Sequence, residues 1–319
     1  MRLLMLGTGP FAVPTFAALL DAGHDVPALI TRPTPSAKGR EKGPLNPMRD
    51  LAESRGIPVL APESINTPEA RQLLTDLKPE LLVVCDYGQI LSSESLAVAP
   101  LGGINLHGSL LPKYRGAAPV HWAILNGDAE TGVTVIHMTP RLDGGPILAV
   151  RRTPIGPDET MPDLECRLSK LGALAVLEAI AKLQAWDRSS PLGMPQDPKL
   201  ATKAPRLTKQ DGAVDWTRSA EQIRNQVRAL TPWPGTYTNW HRSTGEPLRL
   251  ILMQVRSAEC GMRSEPGKVL VSDGKQLVVA AGEGALSIEK LQPAGKRGMD
   301  ASDFLRGYAV KVGDTFGPA

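Results

Sequence analysis

Short apolar runs alternate with amphipathic segments over the first half of the chain. Strands are predicted for residues 2–6, 25–31, 57–60 and 80–85 and for the run around Asn105. Between them, the spacing of apolar residues predicts helices over residues 11–20, 47–56 and 68–77. Strands that alternate with helices indicate a mostly parallel sheet covered on both faces. The pattern therefore predicts a doubly wound α/β domain.

The pattern changes after residue 119. A helix is predicted over 119–126, a strand pair over 132–138 and 145–155, and a long helix over 162–185. The segment 188–206 is rich in Pro, Ser and Lys and has no apolar period, which is typical of a linker. We expect a catalytic domain at 1–187, a linker at 188–206 and a second domain at 207–319.

The second domain is predicted to be smaller and rich in strands. Ser219 and Gln222 fit a capping box at the start of one amphipathic helix that ends near Leu230. Short strand candidates then recur between turns: GTYTNW, PLRLILMQV, GKVLVS, QLVVAA and GALSIEKLQP. Regularly spaced short strands are typical of a small β-barrel.

Composition narrows the class of protein without identifying a ligand. The chain has 319 residues, a formal net charge of +3 and three cysteines, Cys85, Cys166 and Cys260, which lie far apart. No apolar run is long enough for a membrane span, and no secretory signal opens the chain, so we expect a cytoplasmic protein with free thiols. No cysteine or histidine spacing indicates a bound metal, and nothing requires an oligomer, so we expect a monomer.

A glycine-rich turn follows the first strand. Gly7 to Ala12 read GTGPFA and fit the dinucleotide fingerprint G-x-G-x-x-A. The acidic residue expected at the end of the second strand is absent, and Arg32 stands there instead, which leaves an NADP site as one alternative. The other alternative is that the glycines only form the tight turn from strand to helix.

Two polar residues in an apolar strand provide the strongest chemical signal. Asn105 and His107 are two residues apart, which places both side chains on one face of a strand, near the sheet edge where ligands bind. An imidazole can take a proton near pH 7, and an amide N–H can stabilise an oxyanion. Asp143, in the turn PRLDGGPIL, would orient the imidazole if the fold brings the two together.

Basic residues form two groups along the sequence. Arg32, Lys38, Arg40 and Lys42 lie in a Pro- and Gly-rich segment, and Lys199, Lys203, Arg206 and Lys209 lie around the predicted linker. Either group could be a solvated surface. Together they suit a polyanionic substrate better than a small neutral one.

At this point the motifs carry a family resemblance. INLHGSLLPKYRGAAPVHWAILNGD, followed downstream by LDGGPIL, resembles the folate-dependent formyltransferases, and the opening GTGPFAVP is similar to their first turn. LTKQDGAVDWTRSAEQIRNQVRALTPWPGTYT and LQPAGKRGMDASDFLRG are similar to the second domain of the members that act on transfer RNA. The likeness covers nearly the whole chain.

The resemblance implies a Rossmann-like domain followed by an OB-like barrel. It implies transfer of a formyl group from 10-formyltetrahydrofolate to the α-amino group of methionine on initiator tRNA. Asn105, His107 and Asp143 match the catalytic residues of the family. The folate segment corresponds to Ser109, Leu110, Leu111 and Pro112, and we expect tRNA contacts from Lys38, Arg40, Lys42, Lys203, Arg206 and Lys209.

One segment departs from the family pattern. The family has a Gly-Arg-Gly-Lys-Lys-like core in the basic loop after the second strand, whereas this chain has Lys38-Gly39-Arg40-Glu41-Lys42. An acidic residue thus stands among the bases, and Arg40 is the arginine that we match to the family's loop.

Other functions fit part of the pattern. A related formyltransferase could act on an amino-sugar nucleotide or on a purine-pathway ribonucleotide, although the purine enzymes lack the second domain. A hydrolase could release formate from the same folate. An NADP-dependent dehydrogenase would use the GTGPFA turn, and a non-catalytic RNA-binding protein would leave Asn105, His107 and Asp143 unexplained.

Overall fold

The computed structural model describes residues 1–33, 46–242, 246–258 and 264–318. The chain folds into two compact units that interleave along the sequence. The first comprises Met1–Pro119, Glu130–Pro154 and Leu164–Pro205, and the second comprises Val120–Ala129, Ile155–Asp163 and Arg206–Ala319. Composition along the chain did not indicate that the segments 120–129 and 155–163 join the second unit.

A seven-stranded sheet forms the centre of the first unit. The strands of this half of the chain are β1 (Leu3–Gly7), β2 (Leu29–Ile30), β3 (Val59–Leu60), β4 (Leu81–Cys85), β5 (Gly103–His107), β6 (Arg115–Gly116), β7 (Glu130–His137), β8 (Ile147–Pro154) and β9 (Lys203–Ala204). The sheet order is β3-β2-β1-β4-β5-β7-β8, and β6 pairs separately with β9. The first five strands of this order are parallel, and β7 is antiparallel to both of its neighbours.

The strand order reverses direction between β1 and β4. The chain adds β2 and β3 on one side of β1 and then returns to add β4 on the other side. The loops that leave the carboxyl ends of β1 and β4 contact each other here, because Thr8 N and Gly9 N donate to the carbonyl oxygen of Asp86. In open α/β sheets this switch point is the usual place for a ligand.

Helices and caps follow from local sequence. The helices are α1 (Val13–Asp21), α2 (Pro47–Ser54), α3 (Pro68–Asp76), α4 (Ser93–Leu96), α5 (Pro119–Leu125) and α6 (Met161–Gln184). Asn46, Thr67 and Ser92 precede α2, α3 and α4, and each side chain accepts a hydrogen bond from a backbone N–H of the first turn. None of the described helices combines the length and the apolar character that crossing a membrane requires.

The second unit contains a barrel-like antiparallel sheet. Its elements are α7 (Ala220–Leu230), β10 (Thr236–His241), β11 (Leu248–Ala258), β12 (Val269–Ser272), β13 (Leu277–Ala280), β14 (Ala285–Pro293), β15 (Met299–Asp300), α8 (Ala301–Gly307) and β16 (Thr315–Gly317). The order β12-β13-β14-β11-β10-β16 closes through a bridge between Lys268 and Thr315. The predicted capping box of Ser219 and Gln222 is present at the start of α7.

The predicted architecture is confirmed: a mostly parallel α/β sheet is followed by a smaller β-barrel. The strand predicted at 25–31 is much shorter, because only Leu29–Ile30 pair as a strand. Pro27 has no N–H to donate, so the ladder cannot continue through it.

The segment predicted to be a linker is bound along the first unit. Met194 and Ile147 exchange backbone hydrogen bonds of 2.8 and 2.9 Å. Lys203 and Ala204 pair in parallel with Arg115 and Gly116. Polar, proline-rich composition indicated the absence of helix and sheet periodicity, but it did not reveal these backbone contacts.

Candidate active site

The site lies at the carboxyl end of β5. Asn105 and His107 point to the same face of this strand, as their spacing predicts. Asn105 is half-buried, and His107 is 5% exposed. β5 pairs with parallel β4 on one side and with antiparallel β7 on the other. The two side chains therefore lie on an interior strand of the sheet, not on an edge strand.

Asp143 joins the pair from the loop between β7 and β8. Its backbone is left-handed, with φ of 47°. Asn105 Nδ2 donates to Asp143 Oδ1 over 3.4 Å, and His107 Nδ1 lies 3.8 Å from Asp143 Oδ2. The same Oδ2 accepts a hydrogen bond from Gly116 N at 2.9 Å. The structure thus brings together the three residues that the sequence singled out.

The proton on the outer nitrogen of His107 is fixed by the backbone. His107 Nε2 lies 2.8 Å from the carbonyl oxygen of Tyr114. A carbonyl only accepts, so Nε2 must carry a proton and donate. The other ring nitrogen, Nδ1, faces the Asp143 carboxylate. This nitrogen carries an accepting lone pair in the neutral ring and an N–H donor in the charged ring.

The turn that holds His107 and Asp143 is itself held by the segment around β9. Tyr114 N donates to Thr202 Oγ1 at 2.8 Å, and Arg115 N donates to Thr202 O at 2.9 Å. Gly116 has φ of 124°, and a Cβ at this position would lie 2.6 Å from the carbonyl oxygen of Ala204. Only glycine permits this close approach, which places the Gly116 N–H on Asp143.

Gln196 holds the Asp143 loop from the other side. Its Nε2 donates to the carbonyl oxygens of Asp143 and Gly145, both at 2.8 Å. Its Oε1 accepts from the Arg115 guanidinium at 2.7 and 3.2 Å. Sequence reasoning missed Gln196 and Thr202, because their roles depend on contacts with residues more than 50 positions away. No local pattern carries that signal.

Replacing Thr202 with valine should lower turnover about tenfold. The change keeps the shape but leaves the Tyr114 N–H without the Thr202 hydroxyl, which perturbs the carbonyl that orients His107. Steady-state kinetics would measure the loss. Thr75→Val, on the exposed face of α3, is the matched control and should keep full activity. Equal turnover in both variants would contradict this role of Thr202.

The predicted folate segment forms a tight turn after β5. Ser109 is fully buried and donates to Lys113 O at 2.6 Å. Leu111 N donates to Thr134 Oγ1 at 3.1 Å, and Leu111 packs with Ile136 and Ile147. Leu110 and Pro112 are half-buried. Leu111 is thus attached to the β7 side of the site, and its contact with folate stays a prediction.

The predicted tRNA residues fall into two groups. Lys203, Arg206 and Lys209 are exposed, so their charges are accessible to a partner. Lys38, Arg40 and Lys42 lie outside the described residues. Arg32, at the start of that segment, is exposed and lies with its side chain against Gly88.

The glycine-rich turn after β1 is covered by a carboxylate. A Cβ on Gly9 would lie 1.7 Å from Asp86 Oδ2. In dinucleotide sites the second glycine of the motif leaves space for the pyrophosphate. Here that space lies against an acidic group, which would repel phosphate, so the geometry disfavours the NADP alternative.

Comparison with known proteins identifies the class. Residues 1–180 match the formyl transferase family, and residues 206–309 match the formyl transferase C-terminal domain family. The chain belongs to the formyl transferase family. The seven-stranded sheet and the site at the end of β5 form the part that the first of these matches covers.

Two methionyl-tRNA formyltransferases are similar to the chain over nearly its full length. It is 49% identical to the methionyl-tRNA formyltransferase of Rhodopirellula baltica, with 98% of this chain and 96% of the relative covered. It is 40% identical to that of Geobacter metallireducens, with 99% of both covered.

Two solved structures share the fold. One is an N-formyltransferase from Helicobacter canadensis in complex with folinic acid and dTDP-3-aminofucose. It matches with a TM-score of 0.65 at 17% identity, and the match covers 90% of this chain and 98% of that one. HypX from Aquifex aeolicus with tetrahydrofolic acid matches with a TM-score of 0.62 at 18% identity, covering 98% of this chain and 48% of that one. These structural matches support the fold.

Proposed function

We propose that the chain transfers the formyl group of 10-formyltetrahydrofolate to the α-amino group of methionyl initiator tRNA. The observation that carries this proposal is the convergence of Asn105, His107 and Asp143 at one strand end. The full-length similarity to methionyl-tRNA formyltransferases supports the choice of acceptor. We place the reaction in the cytoplasm and expect the chain to act as a monomer.

The reaction requires an oxyanion to be stabilised. The neutral amine attacks the formyl carbon and forms a C–N bond, and the carbonyl oxygen takes up negative charge. Collapse of this tetrahedral species breaks the bond to N10 of the folate. The amine loses one proton and N10 gains one, so the products are the formamide and tetrahydrofolate.

Asn105 and His107 are placed to stabilise that oxygen. Nδ2 of Asn105 is a permanent N–H donor. Nδ1 of His107 becomes a second donor when the ring is charged, because Nε2 is already committed to Tyr114. Both nitrogens face the space beside Asp143, so a formyl oxygen bound there would meet two donors.

Asp143 keeps the two donors in position. Its Oδ1 accepts from Asn105 Nδ2, and its Oδ2 lies 3.8 Å from His107 Nδ1. With Nδ1 facing the site, the neutral ring could also accept a proton from the attacking amine. Ser109, Leu110, Leu111 and Pro112 are proposed to line the folate site.

Binding to tRNA should weaken steeply as salt concentration rises. Lys203, Arg206 and Lys209, with the basic segment at Lys38, Arg40 and Lys42, are proposed to contact phosphates. Lys203→Ala and Lys209→Ala should each reduce the slope of log affinity against log salt by about 1. Filter binding at several salt concentrations would measure the slope. Lys170→Ala, exposed on α6, is the control and should leave the slope unchanged. Affinity insensitive to salt would contradict the proposed contacts.

The decisive experiment is a formylation assay with purified protein. It would combine 10-formyltetrahydrofolate with methionyl initiator tRNA, methionyl elongator tRNA or an amino-sugar nucleotide. We expect formylmethionine on the initiator tRNA alone. Transfer to the sugar, or release of formate without transfer, would retain the catalytic residues but overturn the proposed acceptor.

A further inference from the structure

Gln196 is buried more deeply than the residues around it. The residues on either side, 193–195 and 197–200, are exposed, whereas Gln196 is half-buried. Its amide reaches the loop of Asp143 at the active site, 53 positions away in the sequence. Burial of a polar side chain is costly unless its hydrogen-bonding groups find partners, so the contacts of this amide decide what Gln196 does.

Every hydrogen-bonding position of the Gln196 amide is used. Nε2 has two hydrogens, and it donates to the carbonyl oxygens of Asp143 and Gly145. Oε1 has two lone pairs, and it accepts from Nε and Nη2 of Arg115. A carbonyl only accepts and a guanidinium only donates, so the orientation of the amide is fixed. No donor or acceptor remains for a substrate, and Gln196 therefore acts on the site through its neighbours.

Gln196 fixes the backbone directly after Asp143. The carbonyl oxygen of Asp143 belongs to the planar peptide group that joins it to Gly144, so holding this oxygen fixes ψ of Asp143 and the direction in which its side chain leaves the chain. The backbone of Asp143 is left-handed, with φ of 47°, which is unfavourable for a residue with a side chain. The hydrogen bonds from Gln196 offset this cost and keep the loop in a conformation that its own sequence does not favour.

The contacts of the Asp143 carboxylate depend on this backbone position. The hydrogen bond from Gly116 N to Oδ2 is 2.9 Å long, whereas that from Asn105 Nδ2 to Oδ1 is 3.4 Å and His107 Nδ1 lies 3.8 Å from Oδ2. The latter two are at or beyond the upper limit for a hydrogen bond. A small rotation of the Asp143 backbone would therefore separate the carboxylate from both groups.

We propose that Gln196 is a positioning residue of the active site, which holds Asp143 in the conformation that directs its carboxylate toward Asn105 and His107. This inference rests on the proposed function. Gln196 acts on the reaction through Asp143 and contacts neither substrate. Its replacement should therefore lower kcat and leave the KM for both substrates unchanged, because only transition-state stabilisation is lost.

Variants of Gln196 should fold, because the backbone around it is anchored without its side chain. Met194 and Ile147 exchange two hydrogen bonds on one side, and Thr202 O accepts from Arg115 N at 2.9 Å on the other. Gln196→Met keeps the length of the side chain and removes all four of its hydrogen bonds. Gln196→Glu keeps an acceptor for Arg115 and removes both donors, so it breaks only the link to the Asp143 loop.

Steady-state formylation by the full chain would measure the effect. At pH 7, Gln196→Met and Gln196→Glu should each lower kcat about 100-fold, the loss expected when a catalytic group is misplaced. KM for the folate and for the tRNA should stay within about twofold of the wild-type values. Gln184→Met, exposed at the end of α6, is the matched control and should be fully active. Wild-type kcat in Gln196→Glu, or a loss confined to KM, would overturn the inference.

A second background separates positioning of Asp143 from a general structural effect. In Asp143→Ala no carboxylate is left to position. Adding Gln196→Met to this variant should lower kcat by less than about threefold, because the two changes remove the same interaction and their effects do not add. A loss of about 100-fold in both backgrounds would show that Gln196 acts on another part of the protein, contrary to the inference.

Hydrogen exchange gives a readout that does not require the reaction. Backbone amides of residues 139–146 should exchange at least about tenfold faster in Gln196→Met than in the wild type, because the loop opens more often, whereas those of β5 should be unchanged. Equal exchange of the loop in both proteins would overturn the role of Gln196 even if the wild type formylates tRNA. Absence of formylation by the wild type would overturn the proposed function, while the exchange rates would still decide whether Gln196 holds the loop.

Discussion

Asp143→Asn is expected to lower turnover by two to three orders of magnitude while the fold is retained. Asparagine keeps an oxygen that can accept from Gly116 N, so the loop should stay in place. The variant loses the negative charge beside His107 Nδ1. The amide NH₂ can only donate a hydrogen bond. It would therefore face another donor, either Asn105 Nδ2 or the N–H of a charged His107 ring, where the carboxylate offered an acceptor. Loss of transition-state stabilisation at such a site is typically worth about 3 kcal/mol.

Single-turnover kinetics with saturating folate and tRNA would measure this loss. Asn105→Ala and His107→Ala should each slow turnover by about two orders of magnitude, because each removes one oxyanion donor. Asp76→Asn, exposed on α3, is the control for the amide substitution and should be fully active. Near-normal turnover of Asp143→Asn, with unchanged tRNA affinity, would exclude an electrostatic role for its carboxylate.

Phe304→Ala is expected to lower the free energy of unfolding by about 3–5 kcal/mol. Phe304 is fully buried on α8 at the centre of the second unit. Its ring stacks on Tyr308 with 4.6 Å between centroids and contacts the edge of Trp240 at 6.0 Å. Truncation would remove both ring contacts and leave a cavity that the closed barrel cannot easily fill.

Urea unfolding followed by tryptophan fluorescence would report this change, because Trp216 and Trp240 belong to the same core. Val312→Ala is a suitable control: Val312 is 66% exposed, and its truncation should change stability by less than about 0.5 kcal/mol. Similar effects of the two variants would mean that the barrel core is not organised around Phe304. tRNA affinity of Phe304→Ala should fall at temperatures where the second unit unfolds, provided that this unit contributes to binding.

The catalytic cluster was predictable because its signal is local. Asn105 and His107 lie two residues apart in an apolar strand, and strand geometry alone places them on one face. Helix starts were predictable for the same reason: Ser219 and Gln222 form their cap within four residues of chain. Asp143 required the family motif, since 38 residues separate it from Asn105.

Residues that act across the fold were not predictable. Gln196 and Thr202 lie in a segment whose composition resembles a linker, and only the folded chain shows what they bind. Asp86 was overlooked because an acidic residue after a strand is common in turns. Its contact with Gly9 depends on the pairing of β1 with β4, which are more than 70 residues apart.

The pairing of Lys203 and Ala204 with Arg115 and Gly116 sets where the chain can be divided. A fragment ending at residue 187 would retain Asn105, His107 and Asp143 but lose Gln196, Thr202 and Ala204, which hold the turn from 112 to 118 from the other side. A fragment ending at Pro205 would retain them all. Of two such truncated enzymes, only the longer should preserve the active-site geometry, so any minimal formyl-transferring fragment should include the chain through Pro205.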